Sequence, residues 1–247
     1  MDRDIQPRTV PEILDAGFRL YRRHFGLLLG LSFATTLPFP DSRTRAQFQS
    51  AHDFAALLLP VLATLVLSTL KGWLVTAALT EPLLGRPASL KATLDRFLPA
   101  LPLLVVRALV LGILIALGFV ALAIPSVLLY LAWLFYSEVA IVEGRGVPAF
   151  RRSAQLTKGQ RGRLGILVTL MGLLIGSLSL SFSVLGQMLG WGLAEQVFTY
   201  LSILLLGPLQ SAILLVAYFD LRARREGLDL KLRSQALGAP VPAPGVA

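Results

Sequence analysis

The sequence predicts an all-α polytopic membrane protein, with six spans in three hairpins, interfacial amphipathic helices on the cytoplasmic side, and both termini in the cytoplasm. Three observations predict it. Of 247 residues, 55% are hydrophobic and only 15% charged, where a soluble domain carries about 25% charged residues. Mean hydropathy is +0.71. The Lys and Arg residues gather in segments that alternate with long apolar runs. A span needs roughly 20 apolar residues, so a chain of this length accommodates about six. Residues 1–24 form a cytoplasmic amphipathic segment, 25–219 the six-span domain, and 220–247 a basic cytoplasmic tail, disordered from about residue 236.

The amphipathic segment is a helix from Thr9 to Phe25. Thr9 and Glu12 have capping-box spacing. Val10, Ile13, Leu14, Gly17, Phe18, Tyr21 and Phe25 share one face, and Glu12, Asp15, Arg19, Arg22 and Arg23 the other, a pattern suited to the interface plane. The first span, 25–39, ends at Pro38 and Pro40, and the second, 54–79, is interrupted only by Lys71. Residues 81–99 are polar, with Leu90, Leu94, Phe97 and Leu98 on one face of a second interfacial helix. Leu101–Val142 holds only two charges, Arg107 and Glu138. As one helix it would measure about 63 Å, twice the hydrocarbon thickness. It therefore divides into spans 101–122 and 125–142, with the turn at Pro125. The loop Glu143–Arg163 carries six basic residues and one acid, and a short interfacial helix from Pro148 to Lys158 is stopped by Gly159, with Val147, Phe150 and Ala154 towards lipid. Spans 164–189 and 197–219 complete the six.

Orientation comes from the basic residues. The N-terminal segment holds five, the 80–100 loop three, the 143–163 loop six and the tail five, against two, Arg43 and Arg45, in the other connections. The positive-inside rule places the rich segments in the cytoplasm of a bacterial cytoplasmic membrane. A basic amphipathic segment before a hairpin recurs ahead of Phe25, Leu101 and Leu164, a loose threefold rhythm.

The chemistry these residues allow is narrow. Cys is absent, so there is no disulfide framework. His24 and His52 fall on opposite faces of the predicted topology, and no HExxH, P-loop or GxSxG pattern occurs. No catalytic residue, cofactor or metal is expected, and an enzyme is not the reading. The net charge of +9 suits cytoplasmic loops rather than a nucleic-acid partner. Membrane lipids are the expected partners, with anionic headgroups at the basic rim, alongside a second copy or another membrane protein. Lys71, Arg107 and Glu138 are intramembrane charges at similar predicted depth, about 7–12 Å below the cytoplasmic surface. They form either a polar site open to the cytoplasm, with Arg107 and Glu138 paired, or snorkelling cations that Glu138 neutralises. The second reading is preferred, because long basic side chains reach the interface from this depth. Gly172 and Gly176 make a GxxxG step assigned to internal packing, as do Gly186 and Gly190. Gly207-Pro208 should kink the last span, with Gln210 and Ser211 nearby to compensate.

Three segments carry a resemblance: Glu12–Phe25 (EILDAGFRLYRRHF); Ile141–Gly144 with Ala149–Gly159 (IVEG…AFRRSAQLTKG); and Tyr218–Leu230 (YFDLRARREGLDL). Together they resemble the membrane domain associated with glycerophosphoryl diester phosphodiesterases, a largely uncharacterised bacterial family. Glu138 departs from that pattern, which has an apolar residue or proline there. In fused members the chemistry belongs to a separate TIM-barrel domain of some 250 residues, so the resemblance implies a chain without the catalytic half. It singles out a cytoplasmic motif surface: Glu143, Arg151, Arg152, Ser153, Leu156, Gly159, Asp220, Arg222, Arg224, Glu226, Gly227 and Asp229. Arg222 and Glu226 are i, i+4 neighbours, and Arg152 facing Asp220 is the expected link between loop and tail. The leading expectation is a non-enzymatic accessory, scaffold or lipid-interacting module. Alternatives are a small transporter using Lys71, Arg107 and Glu138, and a membrane subunit of a separate soluble phosphodiesterase.

Overall fold

The computed structural model describes residues 7–36, 70–87, 89–121, 123–144, 146–189 and 192–227. Every regular element among them is a helix: α1 Val10–Arg23, α2 Phe25–Thr36, α3 at 70–83, α4 Leu90–Ala121, α5 Ala123–Ala132, α6 Tyr136–Val142, α7 Ala149–Thr157, α8 Arg161–Met188 and α9 Gly192–Glu226. The fold is all-α. Two helices, Arg161–Met188 and Gln196–Glu226, are long and apolar enough to cross a membrane; Phe25–Thr35 is a shorter apolar helix, and Val127–Val142 is an apolar stretch of similar length that a turn divides. The loop at 37–53, most of the span 54–79 and the tail beyond Gly227 lie outside the described residues.

α9 is the centre of the bundle, packing against α8, α1, α2 and α7. α8 and α9 run antiparallel, with Arg163 beside Asp220 at one end and Phe182 against Phe198 at the other. Leu209, Ala212, Ile213, Leu215, Val216, Tyr218, Phe219 and Leu221 of α9 are buried, which makes this end of α9 the heart of the core.

α1 starts as its sequence indicates. The Glu12 carboxylate accepts a hydrogen bond from the Thr9 N–H at 2.6 Å, and basic Arg22 and Arg23 close the last turn. Its apolar face is not left for lipid but lies against α9, burying Ile13, Ala16, Gly17 and Tyr21, while Phe18 and Phe25 stay exposed. Gly17 is what permits the approach: a Cβ there would lie 2.6 Å from Ile213 Cγ1 and 2.8 Å from Ile213 Cα. His24 is a kink across which α1 continues into α2, since Leu28 N–H still reaches His24 O at 3.0 Å.

The polar segment before Leu101 and the span after it are one element. α4 runs unbroken from Leu90 to Ala121 through Pro99 and Pro102. The expected interfacial helix within 81–99 and the span from Leu101 are therefore not separate; two lost backbone bonds are tolerated within 32 residues of continuous helix. Pro125 sits in the first turn of α5, where its missing N–H costs no helical bond. The predicted span 125–142, by contrast, is broken at 133–135 into α5 and α6. α7 matches the predicted short helix, with Gly159 at φ +77° as its stop. Val147 and Phe150 face inward rather than towards lipid: both pack on the core, and Phe150 stacks on Tyr136 at 5.4 Å. α9 continues past the predicted exit at 219 to Glu226 and ends at Gly227, φ +58°. The GxxxG step of α8 packs on nothing among the described residues, because a Cβ at Gly172 or Gly176 would meet open space.

Candidate functional site

The break between α5 and α6 sets the position of Glu138. Tyr136 N–H bonds Trp133 O at 3.1 Å instead of continuing the α-helical ladder, which strands the Ala132 carbonyl and the Phe135 amide. α7 takes up both. Ser153 Oγ donates to Ala132 O at 2.9 Å and accepts from Phe135 N–H at 3.2 Å, and Thr157 Oγ1 donates to Ala132 O at 3.3 Å. Ser153 and Thr157 are four residues apart, so a single buried stripe of α7 carries both plugs. One turn beyond the break, Glu138 is held inside the bundle.

A cavity of about 530 Å³ opens there between α2, α3, α6, α8 and α9. Its size lies within the range of small-molecule sites, roughly 300–1,000 Å³. Lys71 of α3 and Glu138 of α6 both line it, so two of the three charges singled out by sequence border one cavity. The side chain of the third, Arg107, lies outside the described residues, and with it the expected pair with Glu138. Hydroxyls dominate the rest of the polar lining, among them Ser32, Thr76, Ser179 and Ser211. Gly207 and Pro208 belong to the wall too, and Ser211 Oγ donates to Gly207 O at 3.3 Å beside the proline. Glu138 is 3% exposed and accepts a hydrogen bond from Ser137 Oγ at 2.8 Å.

At the end of the bundle where α7 lies, charged groups lock three distant parts of the chain together. Glu143 accepts from Arg152 Nε at 3.0 Å and from the Tyr218 hydroxyl at 2.7 Å, and lies 3.7 Å from Arg222 Nε. Glu226 accepts from Arg152 Nη2 and from Arg222 Nε, the latter at 3.1 Å. Acid and base thus alternate around a ring of four, with the Arg222 guanidinium over the Tyr218 ring. Burial works against the Arg152 cation, but Glu143 and then Glu226 outweigh it and hold its pKa above the ordinary arginine value.

Asp220 anchors a second set. It is 1% exposed and accepts from Arg8 N–H at 2.5 Å, Arg163 Nη1 at 2.7 Å and Arg224 Nε at 3.2 Å. Arg163 and Arg224 also donate to the Arg8 carbonyl.

The chain matches no family model, no curated protein and no solved structure.

The motif surface divides sharply. Glu143, Arg152, Arg222 and Glu226 form the ring, while Asp220 and Arg224 belong to the second set. Arg152 does not face Asp220 as the sequence pattern suggests; its acids are Glu143 and Glu226. Ser153 and Leu156 are buried and Arg151 is exposed. Gly159 turns the chain beside Arg225, and Asp229 lies outside the described residues. Sequence reasoning missed Arg163, which it counted only as a topology charge, and the Arg8 backbone, which leaves no trace in residue type.

Proposed function

We propose that the chain is a six-span protein of the bacterial cytoplasmic membrane, with both termini cytoplasmic, that holds a small polar or amphiphilic ligand in its cavity without transforming it. One observation carries this reading: Lys71 and Glu138 share the wall of a hydroxyl-rich cavity inside apolar helices. Ionisable groups in such surroundings are costly and mark ligand or ion sites by default. This reverses the preference for snorkelling, which two charges turned into one cavity do not serve. The charged ring and the Asp220 set are the frame that closes one end of the bundle.

A transporter is the second reading. The break at 133–135 and Pro208 both lie at or beside the cavity, and interrupted helices are the usual walls of transport sites. The resemblance to phosphodiesterase-associated membrane domains rests on the quoted motifs alone, and a soluble phosphodiesterase partner remains a proposal of that resemblance. Purification in native lipid followed by mass spectrometry tests the main reading. A lipid or amphiphile enriched over the bulk membrane is expected, and depleted by Lys71→Ala together with Glu138→Gln. Recovery of bulk lipid composition alone, unchanged by those substitutions, would sink it.

A further inference from the structure

Three carboxylates are buried among the described residues: Glu81, Glu138 and Asp220. A buried carboxylate is costly unless it is paired, and two of the three are paired in the ordinary way. Glu81, 6% exposed, takes Arg96 Nε at 2.8 Å and has Arg86 at 3.6 Å. Asp220 takes Arg163 and Arg224. Glu138 is as deeply buried, yet among the described residues it has no ion pair, and its side-chain donor is the Ser137 hydroxyl. What it has instead is the cavity.

We infer that the cavity takes a ligand bearing an ammonium group, with Glu138 as its counter-charge. This rests on the ligand-holding reading above. An ammonium is a donor-only group with three N–H bonds, and the wall offers matching acceptors in the Glu138 carboxylate and the hydroxyl oxygens of Thr76, Ser179 and Ser211. The ligand class is therefore an amphiphile or small molecule with a primary ammonium group. The headgroup of an ethanolamine phospholipid and free phosphoethanolamine share that chemistry.

The test uses the full chain purified in a neutral maltoside detergent, with native mass spectrometry as readout. Three probes are compared: an ethanolamine phospholipid, a glycerol phospholipid with the same acyl chains, and free phosphoethanolamine. Wild type should bind the ethanolamine lipid, the free headgroup or both, at least about tenfold more tightly than the glycerol lipid. Glu138→Gln, which is isosteric and removes a buried charge, should abolish that preference and leave glycerol-lipid binding unchanged. If Glu138→Gln does not yield folded protein, Glu138→Asp reads the same point by keeping the preference with weaker binding. Equal binding of the two lipids, indifferent to residue 138, overturns the inference and leaves the ligand-holding reading intact. No binding of any probe overturns both.

Discussion

Ser153 shows how much one hydroxyl can settle. It is the partner of a carbonyl and an amide at the break between α5 and α6, and without it the amide would be stranded in an apolar interior. Ser153→Ala leaves the Phe135 amide without its partner, whereas Ala132 O keeps Thr157. The expected cost is about 1–3 kcal/mol, read as a lowered thermal midpoint in detergent; an unchanged midpoint would mean that the break is not held from α7. Nothing around the break announced it. Residues Ala132–Ser137 contain neither Gly nor Pro, the usual causes of a broken helix. The signal lay elsewhere, in two hydroxyls at i, i+4 on an otherwise basic helix. Glu138 was legible as an oddity in an apolar run, but its sharing of a cavity with Lys71 depends on how α3 and α6 pack, which no local pattern encodes.

Elements were legible where periodicity and capping agree. α1, α7 and the α8–α9 hairpin lie close to where their patterns place them, because capping spacing, a positive-φ glycine and long apolar runs act locally. α4 was read as an interfacial helix followed by a separate span, because the change from polar to apolar residues near Leu101 marks a change of surroundings and not a break in the backbone. Partners of charged elements were legible in kind but not in pairing. That loop and tail would be tied by an arginine and an acid followed from Arg152 in one and Asp220 in the other, while which arginine meets which acid depends on the crossing of α7, α8 and α9. The observed pairing makes a sharp prediction for double-mutant cycles. Arg152→Ala and Glu226→Ala should couple by roughly 0.5–3 kcal/mol, whereas Arg152→Ala and Asp220→Ala should add. Coupling in the second cycle and additivity in the first would contradict the ring. Asp220→Ala alone should be the costliest change in either set, about 3–5 kcal/mol, because it leaves the cations it served without their buried acid.

For the whole molecule, the all-α class was carried by composition, and the proposed topology by the distribution of Lys and Arg. The absence of native Cys makes that topology directly measurable. A membrane-impermeant maleimide applied to intact cells should label Ser42→Cys and spare Arg151→Cys, and labelling at 151 from outside would refute cytoplasmic placement of the α7 loop. The Arg8–Asp220 hydrogen bond adds a constraint in time. Its partners are 212 residues apart, among the longest separations this chain allows, and such non-local contacts close late. During synthesis the N-terminal segment emerges first, yet its buried acid is made only after α2 to α8 have been synthesised. The residues ahead of α1 therefore wait through the making of α2 to α8 before they find their seat, and the arrival of α9 is the event that shuts the bundle.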